Sequence, residues 1–106
     1  MVSKRLVCYS CENKTSKLPK NMIKEFLKKL KNWKINSKGR LYKEFKFKDF
    51  KKTLKFVNQI GKIAESQGHH PDIYFTYGKC NIEIFTHSIN GLSENDFELA
   101  EKIDKL

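Results

Sequence analysis

The chain has 106 residues, which is the length of one domain with a modest core. No apolar run approaches the roughly 20 residues of a membrane span, and the N-terminus lacks the apolar stretch of a secretory signal. Three cysteines indicate reduced thiols, so we expect a cytoplasmic protein without a membrane partner.

The net charge of +10 is unevenly distributed along the chain. Residues 1–62 contain 19 Lys and Arg against 4 acidic residues, whereas residues 63–106 contain 3 against 8. A basic half can attract nucleic acid. The lysines fall between apolar positions, however, and few aromatic side chains are free to stack on bases. We therefore favour a solvated lysine coat over a nucleic-acid interface.

Residues 1–18 are predicted to form an irregular arm of a single domain spanning residues 1–106. The sequence LPKNMIKEFLKKLKNW then predicts a first helix over residues 18–33, with Pro19 in its first turn. Apolar residues recur there at helical spacing with lysines between them: Met22, Ile23, Phe26, Leu27 and Leu30.

The next stretch, KINSKGRLYKEFKFK, predicts a polar turn and an alternating strand. Residues 33–36 are expected to pair with residues 41–47. One face of the second strand carries Leu41, Lys43, Phe45 and Phe47, and the other carries Tyr42, Glu44 and Lys46.

A second helix is predicted in DFKKTLKFVNQIGKIAESQG, where Asp49 can cap the start and a left-handed Gly68 can form the end. Gly61 is expected to let this helix pack closely on a sheet. The expected buried stripe consists of Phe50, Leu54, Val57, Gly61 and Ala64, widened by Ile60 and Ile63.

Two more strands are predicted in DIYFTYGKCNIEIFTH, with Gly78 and Lys79 as a type II′ loop. Ser93 and Asp96 then resemble a capping box that begins a last helix. Its buried stripe is expected at Phe97, Ala100 and Ile103. The order α-β-β-α-β-β-α favours an α+β fold, a four-stranded antiparallel sheet with helices on one face.

The chain's three histidines are predicted to meet. If Gly78 and Lys79 form the loop, His70 and His87 face each other across the hairpin, with Cβ atoms about 5 Å apart. Pro71 favours the extended conformation that this pairing needs at His70. His69 lies at the helix-to-strand corner, from which it can turn toward the same pocket. Glu65, four residues before His69, can orient a ring or hold a cationic group.

Two chemical interpretations of these residues stay open. Imidazoles can act as general acid and base near neutral pH. Alternatively, the three histidines and Glu65 could bind zinc, although two adjacent histidines lack the i, i+3 or i, i+4 spacing of rigid ligand pairs. A lone histidine is more often structural, so the functional interpretation depends on His70 and His87 being in register.

The cysteines offer a weaker signal. Cys8-x-x-Cys11 is compatible with zinc or redox chemistry, but no second such pair or nearby histidine completes a zinc set. Free thiols are therefore the favoured interpretation, and Cys80 belongs to the hairpin.

Several motifs together resemble the pterin-4a-carbinolamine dehydratase family, whose activity is that of a 4a-hydroxytetrahydrobiopterin dehydratase. They are AESQGHHPD, the later Thr-His, and GLSENDFELA, and the resemblance covers roughly residues 18–104. Three positions depart from the family pattern. Lys43 stands where arginine is usual, Ser88 where many members have an acid, and Asp72-Ile73 where animal members have Glu-Trp.

The resemblance implies the same α+β fold and the dehydration of 4a-hydroxytetrahydrobiopterin to quinonoid dihydrobiopterin, in tetrahydrobiopterin recycling. It implies no metal and no organic cofactor. His69, His70 and His87 would supply the acid and the base. Substrate contacts would come from Glu65, Pro71, Thr86, Ser88 and Asp96. At the third position of its helix, Asp96 could instead serve only to stabilise the helix dipole.

The resemblance also implies homodimers or homotetramers and a functional link to an aromatic amino acid hydroxylase. A non-catalytic alternative is a binding or dimerisation module, because animal members also act as dimerisation cofactors of a homeodomain transcription factor. An RNA-binding role would require aromatics on an open sheet face. Tyr42, Tyr74, Phe75 and Tyr77 are available for it, without a recognition motif.

Overall fold

A computed structural model describes residues 16–106 as four antiparallel strands with helices packed on one face. This confirms the predicted α+β class. The elements in chain order are α1 (Lys20–Lys28), β1 (Lys34–Ile35), β2 (Leu41–Lys46), α2 (Phe50–Gln67), β3 (Asp72–Thr76), β4 (Lys79–Ile84), a 3-10 turn (His87–Ile89) and α3 (Glu94–Asp104). Within these residues, no helix is long and apolar enough to cross a membrane.

The strands are arranged in the order β1-β2-β4-β3, and each neighbouring pair is antiparallel. Lys34 pairs with Tyr42, which confirms the predicted pairing of the first two strands. The central strand β4 is flanked by β2 on one side and by β3 on the other. Its buried residues Cys80, Ile82 and Ile84 alternate with more exposed ones, as one covered sheet face requires.

The first helix is shorter than predicted. Its initial residue follows Pro19, but it ends at Lys28 rather than at Trp33. Asn32 adopts a left-handed conformation with φ 62°, which reverses the chain and turns Trp33 into the core. The indole Nε1–H of Trp33 donates to the carboxylate of Asp104, at 3.0 and 3.1 Å.

The second helix begins and ends where the sequence predicts. The Asp49 carboxylate accepts the backbone N–H of Lys52 at 2.9 Å, and Gly68 ends the helix with φ 66°.

Its predicted buried stripe is partly wrong. Phe50 and Leu54 are 46% and 40% exposed. The buried residues are Thr53, Phe56, Ile60 and Ala64. The stripe is rotated because the Phe56 ring packs between two rings of the β2 segment, 4.7 Å from Phe45 and 4.9 Å from Phe47.

The predicted role of Gly61 is also wrong. A Cβ placed there would meet nothing within 4 Å, so close packing on the sheet does not require a glycine. In the last helix, by contrast, the predicted stripe of Phe97, Ala100 and Ile103 is confirmed as buried.

The second hairpin differs from the prediction by one residue. Thr76 pairs with Lys79, so the loop is Tyr77-Gly78, and the φ angle of Gly78 is not in the left-handed region of a type II′ turn. Glycine is needed there for a different reason. A Cβ at Gly78 would lie 2.9 Å from the carbonyl oxygen of Phe47, whose N–H donates to the Gly78 carbonyl at 2.8 Å.

The sheet face away from the helices is polar and carries both signs of charge. The Arg40 guanidinium lies 2.8 Å from Glu83 and 3.6 Å from Asp72, and the Asn36 amide donates to Glu83 at 2.7 Å. Partial burial acts to raise the pKa of Glu83, but hydrogen bonds from Arg40 and Asn36 and the nearby charges of Lys38 and Arg40 hold it below its ordinary value.

Of the aromatics predicted to be available for RNA, Phe75 is not on this open face. Its ring stacks on Phe50 of α2, with centroids 6.0 Å apart. Tyr74 is exposed on the open face, and it shares that face with the acidic residues Asp72 and Glu83, which do not favour contact with RNA phosphates.

Residues 1–15, which hold most of the predicted arm together with Cys8 and Cys11, lie outside the described residues. Where the description begins, the chain is already attached to the domain, because the N–H of Leu18 donates to the carbonyl of Leu92 at 2.8 Å.

Candidate active site

All three histidines lie toward one end of the sheet. β3 begins at Asp72 opposite Glu83, so the start of β3 and the end of β4 meet at the same edge. The helix α2 ends just before His69, and His87 follows β4 directly after Thr86. The antiparallel register thus brings the HHP segment and the Thr-His segment to one region, as the sequence predicted.

The predicted cross-strand pair of His70 and His87 is nevertheless wrong. The loop at Tyr77-Gly78 shifts the register, and an extension of the ladder would place Phe85 opposite His70. Both histidines also lie beyond the paired residues of their strands, and His87 belongs to the 3-10 turn.

His69 is held by a buried carboxylate. Its Nε2 lies 2.5 Å from Oδ1 of Asp96, and the two side chains are 15% and 0% exposed. When Asp96 is ionised, this contact requires the proton on Nε2, and a neutral His69 then has Nδ1 free to accept a proton. Asp96 does more than stabilise its helix, because it fixes the tautomer and orientation of an imidazole.

The other oxygen of Asp96 collects donors from its surroundings. Oδ2 accepts hydrogen bonds from the Thr86 hydroxyl at 2.8 Å and from the backbone N–H of Ser93 at 2.7 Å. The hydroxyl oxygens of Thr86 and Ser93 are themselves 2.9 Å apart. The predicted capping box is therefore present, and the same carboxylate serves the helix and the histidine. A buried carboxylate needs such partners to offset its lost hydration.

The sequence assigned Ser93 only to helix capping and missed its contact with this network. The signal was present as the Ser-x-x-Asp pattern next to the Thr-His motif. This pattern could be connected with the histidines only once the start of α3 was known to lie against Thr86.

His70 has a carboxylate partner of a different kind. Its Nε2 lies 2.5 Å from Oε2 of Glu65, and these side chains are 61% and 78% exposed. Glu65 contacts a histidine ring as predicted, and that ring belongs to His70. The left-handed Gly68 ends the helix before the i, i+4 spacing can reach His69.

The remaining predicted residues occupy different positions at this edge. His87 is exposed, and its ring meets the edge of the Phe85 ring with centroids 5.3 Å apart. Ser88 is exposed beside it, and Pro71 is partly exposed before β3. Thr86 is buried, its N–H donates to Gly91 at 3.0 Å, and its hydroxyl reaches Asp96, so Thr86 positions the network.

Within residues 16–106, no three His, Cys, Asp or Glu side chains are grouped as metal ligands. The zinc interpretation thus lacks, among these residues, the ligand set that it requires. Cys80 is buried in the sheet, and desolvation raises the pKa of its thiol to about 11. It is therefore a neutral thiol at physiological pH.

The fold and the site together define a class. This is a small α+β protein whose sheet edge carries histidines bonded to carboxylates, which suits proton transfer to and from a small molecule. The sequence model of the family described as pterin 4 alpha carbinolamine dehydratase matches residues 16–106. The chain belongs to this family.

Relatives and solved structures agree with that assignment. A Rickettsia canadensis protein, provisionally named pterin-4-alpha-carbinolamine dehydratase, is 49% identical over 98 residues, 92% of this chain and 90% of that one. The crystal structure of a transcriptional coactivator/pterin dehydratase from Brucella melitensis superposes with a TM-score of 0.81 at 31% identity, covering 85% and 97% of the two chains. A pterin dehydratase-like RuBisCO assembly factor of the alpha-carboxysome gives a TM-score of 0.61 at 25% identity, covering 71% and 88%.

Proposed function

We propose that this protein dehydrates a 4a-hydroxytetrahydropterin to the quinonoid dihydropterin and water, as in the recycling of tetrahydrobiopterin and other tetrahydropterin cofactors. The observation that carries the proposal is the contact of His69 with the buried Asp96, beside a second, exposed histidine–carboxylate contact. Membership of the family and the names of its relatives support the reaction class.

The reaction needs one proton delivered and one removed. The C4a–O bond breaks as the hydroxyl leaves, and protonation of its oxygen makes the leaving group water rather than hydroxide. A ring N–H loses its proton as the electron pair forms the new double bond to C4a. A positioned acid and a positioned base each contribute about 10²–10⁴-fold.

His69 is suited to the role of base. With Nε2–H directed to Asp96, its Nδ1 can accept the ring proton, and the buried carboxylate offsets the positive charge that develops. The exposed histidines, His70 and His87, are suited to deliver the proton to the leaving hydroxyl. Glu65 holds the His70 ring for that purpose.

Substrate contacts are proposed for the exposed part of the edge. Ser88 and Pro71 flank the histidines, and His87 and Ser88 lie in a turn beyond β4 where backbone groups can meet the pterin amide. Thr86 and Asp96 are proposed to act by positioning His69 and the turn, because their polar atoms are bonded within the protein.

The test is stopped-flow absorbance of 4a-hydroxytetrahydrobiopterin, generated in situ. We expect a rate far above the spontaneous dehydration. The variants His69→Ala, His70→Ala and His87→Ala should each lose about 10²-fold or more of it if their histidines transfer protons. Lys55→Ala, an exposed change on α2, serves as the folded control. A wild-type rate equal to that of buffer would refute the proposal.

A second candidate function is protein–protein association. Apolar and aromatic side chains are exposed around the start of α2 and the second hairpin, including Phe50, Leu54 and Tyr77. Such a patch is typical of interaction surfaces. The names of the two structural neighbours, a coactivator and an assembly factor, point the same way. We therefore propose a homodimer or homotetramer that buries this patch.

Light scattering tests the association. The wild type should have at least twice the mass of the chain, and Phe50→Lys with Leu54→Lys should give a monomer. A monomeric wild type at high micromolar concentration would contradict it.

We also propose a functional link to an aromatic amino acid hydroxylase, which follows from the reaction rather than from any contact.

A further inference from the structure

A groove with a lysine rim lies beside the candidate active site. It has a volume of about 690 Å³ and runs between α1, the turn that connects β1 and β2, and residues 90–92. Its four charged side chains are all cationic: Lys17, Lys20, Lys24 and Lys38. The volume is in the range of small-molecule sites, which are commonly apolar with a few polar groups that fix orientation.

The floor of the groove is apolar and incompletely covered. It includes the partly exposed Ile23 and Leu27 of α1, together with Ile35 and Phe85. The helix α1 contains no fully buried residue, so its apolar side is only partly packed against the domain. Lys20 and Lys24 are one helical turn apart and therefore project from the same side of α1.

Phe85 connects the groove to the histidines. Its ring lines the floor of the groove, and the same ring meets the ring of His87. Gly91 also lines the groove and is hydrogen-bonded to Thr86, the residue before His87. The Arg40 guanidinium lies over one face of the Phe85 ring, 4.8 Å from its centroid, so a molecule held at His87 would extend into the groove along the other face and close to a further cation.

We infer that the groove binds the substituent of the pterin, and that the natural substrate carries a substituent with an aromatic or other apolar part that ends in carboxylates. This inference rests on the proposed function. The pterin ring lies at the histidines, the apolar part covers Phe85, and the carboxylates reach the lysines. A short neutral dihydroxypropyl substituent would leave both the apolar floor and the cationic rim without a partner.

Charge favours this occupant over the chain's own N-terminal segment. Residues 1–15 contain Lys4, Arg5 and Lys14 against the single acid Glu12, so their charge has the same sign as the rim. An acidic peptide from another protein would satisfy the rim, and it is the rival that the experiment must exclude.

The test compares two ligands that share the oxidised pterin ring. Folate has an aryl substituent that ends in carboxylates, and biopterin has a neutral one. Binding to the full chain is measured by titration calorimetry at 50 mM and 500 mM salt. The groove variant is Lys20→Ala/Lys24→Ala, and the matched control is Lys51→Ala/Lys55→Ala, an exposed pair with the same spacing on α2.

We expect the wild type to bind folate about tenfold more tightly than biopterin at low salt, and the preference to shrink at high salt. The groove variant should lose the preference with biopterin binding unchanged, and the control should keep it. His87→Ala should weaken both ligands.

Four results would overturn the inference. Equal affinities for folate and biopterin, unchanged in the groove variant, would show that the groove does not bind the substrate. The proposed function would still stand if the wild type catalysed the dehydration. Binding of p-aminobenzoylglutamate as tight as that of folate would make the groove a docking site separate from the pterin site. Binding of a poly-glutamate peptide that is tighter than that of folate and is lost in the groove variant would do the same. Absence of both pterin binding and dehydration would refute the proposed function itself.

Discussion

Two neighbouring histidines in this protein have the same kind of partner in opposite surroundings. His69 and His70 each have Nε2 at 2.5 Å from a carboxylate oxygen. The first pair joins His69 to the first turn of α3, where the buried Asp96 is also bonded to Thr86 and Ser93, whereas the second pair projects into solvent. The buried pair has a fixed geometry, because the Asp96 side chain is fully buried and water cannot replace His69 as its partner.

The contrast shows that two adjacent histidines of the HHP segment differ in burial, and we propose that this difference separates their roles. An exposed ion pair is weakened by water and salt and is usually worth less than 1 kcal/mol. A buried carboxylate that loses its partner, or keeps a partner of the wrong tautomer, leaves an unsatisfied group. Substitutions in the buried pair should therefore have larger effects on activity and stability than substitutions in the exposed pair. The predictions below test that difference in decreasing order of expected effect.

The largest effect is expected for Asp96→Asn. The amide keeps the size of the side chain but presents an NH₂ or a neutral oxygen to His69, so the ring loses its anionic partner and its fixed tautomer. We expect dehydration to slow by about 10²-fold or more while the free energy of unfolding falls by about 1–3 kcal/mol. Stopped-flow absorbance and urea unfolding measure the two quantities. An active Asp96→Asn protein would exclude the buried pair from catalysis.

An intermediate effect is expected for Thr86→Val, which removes a hydroxyl bonded to Asp96 without changing the shape of the side chain. The control is Thr53→Val, because the buried Thr53 hydroxyl bonds to the carbonyls of Asp49 and Tyr77 away from the histidines. Each variant should lose about 1–2 kcal/mol of stability. Only Thr86→Val should also slow dehydration, by about tenfold. Equal rates in both variants would show that Thr86 is structural.

A smaller effect is expected for Glu65→Gln in the exposed pair. The free energy of unfolding should change by less than about 1 kcal/mol, since water replaces the lost contact. The rate should fall severalfold at most, and the difference from wild type should shrink as salt is added. A loss as large as that of Asp96→Asn would mean that the exposed pair is the more important one.

The smallest effect is expected for Glu83→Gln on the open sheet face, and it concerns pH. The pKa of Glu83 is lowered in the folded state, so its contribution to stability is present above the ordinary glutamate pKa and is lost as the pH falls through the lowered value. Glu83→Gln should therefore be less stable than wild type at neutral pH, and the difference should disappear in acid. Urea unfolding at several pH values gives the answer. A difference independent of pH would assign the effect to packing.

Much of the fold could be predicted from local patterns. The caps at Asp49 and Gly68, the pairing of the first two strands and the buried stripe of α3 all followed from residue type and spacing. The α+β class followed from the order of these elements. Several errors arose from contacts between elements. The stripe of α2 depended on a ring of the β2 segment, and the reason for Gly78 on the backbone carbonyl of Phe47. The end of α1 was missed because nothing local predicted the left-handed conformation of Asn32.

The candidate site was predictable as a set of residues but not as an arrangement. A shift of one residue in the hairpin loop was enough to separate His70 from His87 as a facing pair, because alternate residues of a strand point to opposite faces. Glu65 and Asp96 were both identified, but their histidine partners were not, since one contact depends on how Gly68 ends α2 and the other on how α3 packs against Thr86.

The sequence by itself determined which elements form, where the caps lie, and which side chains with proton-transfer chemistry gather at one end of the sheet. These features depend on contacts within a few residues, or on strand order, and the amino-acid pattern encodes both directly. Tertiary structure alone decided that His69 is paired with a buried carboxylate and His70 with an exposed one. Burial is a property of what packs over a residue, and the groups that contact Asp96 include His69 and Thr86, which lie 27 and 10 residues away in the chain.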